Sequence, residues 1–206
     1  MPKSTLMSIQ GAVEGPLDEV VLRRLVLHVH ALPGAIYDKQ GKQNLLQRLP
    51  SYNQAARSSP WAILIDLDQN ADCAPPFVAA NLPHLSPKMC CRVAVRSIEA
   101  WLLADRERLA HFLDVAIAKI PQNPETLADA KLTLIDVARH SRSQSVRQDI
   151  VPRPEGGRRV GPAYSSRLIE FVEDTQSGWR PEIAARRADS LGRCLRCLRR
   201  LTGRLI

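Results

Sequence analysis

The sequence predicts an α/β protein built on a mostly parallel sheet flanked by helices, with a helical, Arg-rich C-terminal extension. Three observations predict it. Trp61-Ala-Ile-Leu-Ile65 is an unbroken apolar run that stops on Asp66-Leu67-Asp68, the pattern of a strand covered on both faces in a parallel sheet. Strand-like and helix-like segments alternate over residues 1–115, as βαβ units require. After about residue 120 the strand signal fades and helical patterning takes over. The expected organisation is therefore an α/β core over 1–120 and a helical, basic region over 121–206.

The elements follow in order. Met7–Val13 reads as a short strand closed by Glu14-Gly15, and Leu17–His30 as a helix with Val20, Val21, Leu25 and Leu27 facing the core. Residues 32–60, interrupted by Pro33, Gly34, Pro50 and Pro60, read as loop and helix pieces. Trp61–Ile65 is the second strand and Cys91–Val95 the third. Ser97 is placed to cap a helix over Ile98–Ala104. Helices are further expected over Lys131–His140, Gly161–Glu173 and Asp189–Leu201, the last with the stripe Leu191, Cys194, Leu195, Leu198 and Leu201. The polar segment Ser141–Val160 is expected as loop.

Bulk properties narrow the function. A chain of 206 residues can bury a substantial core. No apolar stretch approaches the ~18–20 residues that span a bilayer, and the N-terminus has no signal-peptide pattern. Five cysteines in no disulfide-like framework point to a reducing cytoplasm. Charge is unevenly distributed. Residues 1–138 hold 14 basic and 14 acidic side chains, whereas 139–206 hold 15 against 7, and all 15 are Arg. The net charge of +8 thus lies wholly in the last third, where planar guanidinium groups suit a phosphate-bearing partner such as nucleic acid. An Arg-rich solvated helical surface accounts for the same composition.

The carboxylates carry the chemistry. Glu14 closes the first strand, Asp66 and Asp68 close the second, and Glu99 opens the helix after the third. Ligands of open parallel sheets collect at the carboxyl ends of strands, and carboxylates gathered there suit a hard divalent cation, Mg²⁺ or Mn²⁺. In an extended segment Asp66 and Asp68 point the same way. Asp18, one turn past Glu14 on the following helix, is placed to add a second ligand or to orient a water.

The run Val13-Glu14-Gly15-x-x-Asp18, Ile65-Asp66-Leu67-Asp68 and Ser97-Ile98-Glu99 resembles the Toprim domain, and more narrowly the Toprim part of OLD-family nucleases. Val95–Asp105 and Val160–Phe171 resemble small stand-alone Toprim-like bacterial proteins of unknown function, often encoded beside ATPases in phage-defence loci. The resemblance implies a Toprim-like (Rossmann-like) fold and Mg²⁺-dependent cleavage of phosphodiester bonds in DNA or RNA. It implies metal ligation by Glu14, Asp66, Asp68 and Glu99, with Asp18 in support. It also implies a lysine that stabilises the transition state, for which Lys131 is the candidate by order alone, and an AAA- or ABC-type ATPase as partner.

Other readings compete at single motifs. A haloacid-dehalogenase-type phosphatase also sets two aspartates two apart after a strand, but there the motif lies on the first strand and continues with Thr or Val where this chain has Asn70. Ile-Leu-Ile-Asp fits a Walker-B strand, yet no GxxxxGK[ST] precedes it. A non-catalytic binding subunit of an ATPase complex remains the alternative from another class. Glu99, at N2 of its helix, also suits the macrodipole without any metal. Arg158 and Arg159, ahead of Gly161-Pro162 and Tyr164, form a candidate nucleic-acid contact. There backbone amides and two guanidinium groups would hold a phosphate and Tyr164 would stack on a base. A plain turn with Pro at a helix start explains Gly161-Pro162 equally. Cys194-x-x-Cys197 lies on an apolar stripe and reads as core rather than zinc ligand, and Trp101 as core beneath the site.

Overall fold

The computed structural model describes residues 6–68, 74–155 and 157–203. Asp72, in the segment after the Asp66-Leu67-Asp68 motif, lies outside the described residues. The chain divides into two compact units, residues 1–95 with 192–206, and residues 96–191.

The first unit is a four-stranded, all-parallel sheet flanked by helices, consistent with a Rossmann-like α/β fold. Its strands are β1 (Ser8–Val13), β2 (Leu32–Asp38), β3 (Trp61–Asp66) and β4 (Met89–Ala94), and their spatial order is β2-β1-β3-β4. Every pairing is parallel. The chain therefore steps one way from β1 to β2 and the other way from β3 to β4. The strand order reverses between β1 and β3.

Helix α1 (Pro16–His28) buries Val21, Leu22, Leu25 and Val26; Leu27, expected inward, is exposed. The helix passes close over the sheet at Gly11. A Cβ there would meet Leu22 Cδ2 at 2.7 Å and the Ala62 carbonyl at 3.1 Å. Helix α2 (Lys42–Ala55) and α3 (Ala74–Asn81) cover the core face on which Ile63, Ile65, Cys91 and Val93 meet Leu45, Leu49, Tyr52 and Leu82.

The C-terminal part of α10 (Asp189–Leu201) belongs to this unit from residue 192 onward. The stripe Leu191, Cys194, Leu195, Leu198 and Leu201 is buried as its spacing predicts. Arg200 Nη2 lies 3.5 Å from the Met89 carbonyl. Cys90 and Cys91 alternate faces of β4. Burial pushes the Cys91 and Cys194 thiols up to about 12. Cys197 behaves differently: a hydrogen bond with Cys90, with Arg92 and Arg200 nearby, outweighs burial and lowers its thiol to about 6.

β2 and α2 differ from the sequence expectation in this unit. Residues 32–38 form β2 despite Pro33 and Gly34. β2 is an edge strand, where a missing N–H is tolerated. Gln10 Oε1 accepts the Ala35 N–H at 2.8 Å, where the β1–β2 register shifts between Ile9 and Gly11. Residues 42–55 form one continuous helix with Pro50 inside it.

The second unit is helical. Its centre is α4 (Ile98–Ala104), every residue of which is buried, so the helix is apolar nearly all round. Around it lie α5 (Arg106–Phe112), α6 (Ala130–Arg139) and α9 (Pro181–Ala184), and the chain continues through α7 (Gln144–Ile150) and α8 (Tyr164–Glu173). Trp101 is fully buried, as expected, and donates Nε1–H to Ser190 Oγ at 2.7 Å. Helix α7 replaces part of the loop expected over Ser141–Val160. Ser143 Oγ accepts the Val146 N–H, and Val146 and Ile150 are buried one turn apart. Gly161 then packs on the end of α7, where a Cβ would stand 2.3 Å from the Asp149 carbonyl. Among the described residues, no helix is long and apolar enough to cross a membrane.

Candidate functional site

Three strand ends of the first unit converge around Glu14. This residue follows β1 directly, and Gly15 behind it is the N-cap of α1, so a short turn rather than a long loop holds it. Its Oε1 accepts the backbone N–H of Asp66 at 2.8 Å. Its own carbonyl accepts the N–H of Gly41 at 2.8 Å, after Lys39 N–H has bonded the Val13 carbonyl at 3.0 Å. The β2–α2 connection is thereby fastened to the end of β1. Gly41 has φ 121°, which a side chain would resist, and it is the residue that turns Lys42 into the site.

Asp66 is the last residue of β3 and half-buried. The backbone does not stay extended through Asp68, as the pairing of the two aspartates would require. Leu67 still bonds the Ala94 carbonyl, but Asp68 takes φ 53°, a left-handed conformation that Asp tolerates better than most side chains. The aspartates are thus not an extended i, i+2 pair. Asp68 turns its carboxylate to Lys42, whose Nζ lies 2.6 Å from Oδ2 and 3.4 Å from the Leu67 carbonyl. Lys42 was not among the residues singled out from sequence. Its side chain is 14% exposed while that of Asp68 is 51% exposed, so the amine is held in the protein and the carboxylate faces solvent. Asp18 curls back over the first turn of α1, its Oδ2 3.5 Å from where a Gly15 Cβ would stand. A carboxylate there suits the helix dipole.

The donor set fits a hard divalent cation, being all carboxylate oxygen with no thiolate or imidazole. Among the described residues, no three His, Cys, Asp or Glu side chains form a group ready to hold a metal ion. As folded, the ammonium of Lys42 supplies at Asp68 the positive charge that an ion would bring. Removing it should strengthen cation binding. Lys42→Met is expected to tighten Mn²⁺ binding severalfold by titration calorimetry, since a pair half open to water contributes no more than about 1 kcal/mol. Unchanged or weaker affinity would count against Asp68 as a ligand.

In the second unit, Glu99 and Lys131 of the expected metal site come together with Tyr164 of the expected nucleic-acid contact. Glu99 is buried, at 3% exposure, and its carboxylate is heavily engaged. Ser97 Oγ donates to Oε2 at 2.7 Å, Tyr164 Oη donates to Oε1 at 3.1 Å, and Lys131 Nζ is 3.4 Å from Oε1. Ser97 occupies the N-cap position of α4 but gives its hydroxyl to Glu99 and makes no side-chain cap. Lys131, on the first turn of α6, brings its ammonium to Glu99 from a half-exposed stem.

The nucleic-acid contact expected near residue 160 needs correction. Tyr164 is 3% exposed, so its ring offers no face to a base. The amides of Gly161 and Ala163 already donate to the carbonyls of Ile150 and Asp149 at 3.0 and 2.9 Å, so neither is open to a phosphate. Arg158 and Arg159 are exposed and keep their place as candidate phosphate contacts.

No protein-family model, no curated protein and no solved structure matches this chain.

Proposed function

We propose that the chain is a Mg²⁺- or Mn²⁺-dependent nuclease of Toprim type, in which Glu14 and Asp66 hold the ion with Asp68 and Lys42 beside them. One observation carries this reading. Glu14 reaches across from β1 to the end of β3, at the point where the strand order reverses, which is where open α/β sheets bind their ligands. When bound, the ion supplies Lewis acidity toward a phosphodiester. The chain's own part is positional. The Asp66 amide fixes the Glu14 carboxylate, and the Gly41 turn fixes Lys42, whose ammonium offsets negative charge developing on the substrate. Lys42 takes over in this unit the role first expected of Lys131. Control by a partner ATPase in a phage-defence setting belongs to the same reading.

A second reading, a non-catalytic subunit of an ATPase complex, is favoured by the Lys42–Asp68 ion pair, which neutralises part of the acidic site. Incubating the full chain with plasmid, single-stranded DNA and tRNA in Mg²⁺ or Mn²⁺ separates the two. Cleavage that EDTA abolishes is expected. Absence of cleavage with all three substrates, alone and with an ATPase encoded beside it, would leave the binding subunit.

A further inference from the structure

The second unit carries two grooves with basic charged walls. One, of about 580 Å³, is lined by Arg139, Gln144, Arg147, Gln148 and Arg153, together with Val151 and two prolines. The other, of about 310 Å³, is lined by Arg153 and Arg158 with Val160 and Pro162. Arg153 lines both, so a track of two grooves borders on this one side chain. Among the described residues, no carboxylate and no aromatic ring lines either of them.

Nearby acidic groups are few. Residues 139–159 contain six Arg against Asp149 and Glu155. Asp149 is bound to Arg167 at 2.8 Å, and Asp136 offsets Arg139 through an exposed pair at 3.2 Å. Arg147 donates one N–H to the Ser141 carbonyl and has four more. Arg153 and Arg158 are exposed.

We infer that this track binds the sugar-phosphate backbone of a nucleic acid, independently of sequence, with Arg153 at its centre. The inference rests on the reading of nucleic acid as the substrate and names the surface that holds it. A row of guanidinium forks matches a row of phosphates better than it matches the flexible carboxylates of an acidic peptide. Gln144 and Gln148 add neutral donors and acceptors for sugar oxygens. The absence of aromatic lining removes base stacking, the usual source of affinity for unpaired bases, so positioning on phosphates is what remains.

Fluorescence anisotropy of the full chain tests this. The probes are a labelled 20-nucleotide single strand and the matching duplex, in EDTA, across a KCl series. Arg153→Glu with Arg158→Glu is expected to weaken binding of both at least tenfold. Arg153→Gln with Arg158→Gln is expected to reduce the slope of log K against log salt by about 1.4 for the single strand and about 1.8 for the duplex. Both sites are exposed, and circular dichroism checks that each variant folds. Unchanged affinity and slope in both variants, or no binding by the natural chain, overturns the inference. So does binding of poly-glutamate as tight as that of nucleic acid at equal salt, which would assign the track to an acidic protein. Because EDTA removes the metal, this result is independent of catalysis. Cleavage that persists with binding unaffected by the Arg variants would overturn the track and leave the metal site standing.

Discussion

Asp66→Asn should cost the chain at least about 100-fold in metal-dependent cleavage rate, with Asp66→Ala plus Asp68→Ala taking it to background. The magnitude follows from the Lewis-acid contribution of a bound ion, several kcal/mol at the transition state, at about 1.4 kcal/mol per tenfold in rate. Asn keeps the shape of Asp but offers one weak oxygen donor in place of a carboxylate. The hydrogen bond that seats Glu14 uses the backbone N–H of residue 66 and is available to either side chain. Kinetics and a thermal melt run on the same preparation separate lost chemistry from lost fold. Cleavage at the natural rate by the double variant would remove these aspartates from the site.

Glu99→Ala should have the largest effect on stability. It leaves the hydroxyls of Ser97 and Tyr164 without the acceptor they share, and an unsatisfied buried donor costs roughly 1–3 kcal/mol. A total near 3 kcal/mol corresponds to a melting temperature lower by about 6–12 °C for a chain of this size. Lys131 adds less to the loss, because its half-exposed ammonium returns to water. Glu99→Gln retains one carbonyl oxygen and should lose only about 1 kcal/mol. Calorimetric melts of the three proteins check the order natural chain, Gln, Ala. A Glu99→Gln protein that melts normally yet no longer cleaves would assign this carboxylate to chemistry rather than to packing.

What could be read from sequence follows from how local each signal is. β3 was plain because five consecutive apolar residues ending on an aspartate leave few alternatives, and Glu14 because Gly15 marks the turn behind it. β2 was hidden by Pro33-Gly34, which weaken a strand everywhere except at an edge, and edge position is a property of the finished sheet. Helix α7 did carry a signal, Ser143 as N-cap with Val146 and Ile150 one turn apart, but the surrounding Arg and Ser residues masked it.

The site itself was half legible. The carboxylates announce themselves by following strands. Lys42 does not, since only the Gly41 turn and the fold of β2 bring its amine to Asp68, 26 residues away. The left-handed backbone at Asp68 likewise depends on how β3 ends. Tyr164 follows Arg158 and Arg159 closely in sequence, yet its hydroxyl serves Glu99, 65 residues earlier. No local pattern encodes that pairing.

The central claim is that Glu14 and Asp66 hold a divalent cation at the reversal of strand order. A crystal of the full chain soaked in Mn²⁺ and examined by anomalous scattering tests it most directly. An ion bound by the carboxylates of Glu14 and Asp66 is the expected result. A fully occupied Mn²⁺ elsewhere in the crystal, with none on these two residues and Lys42 still seated on Asp68, would contradict it.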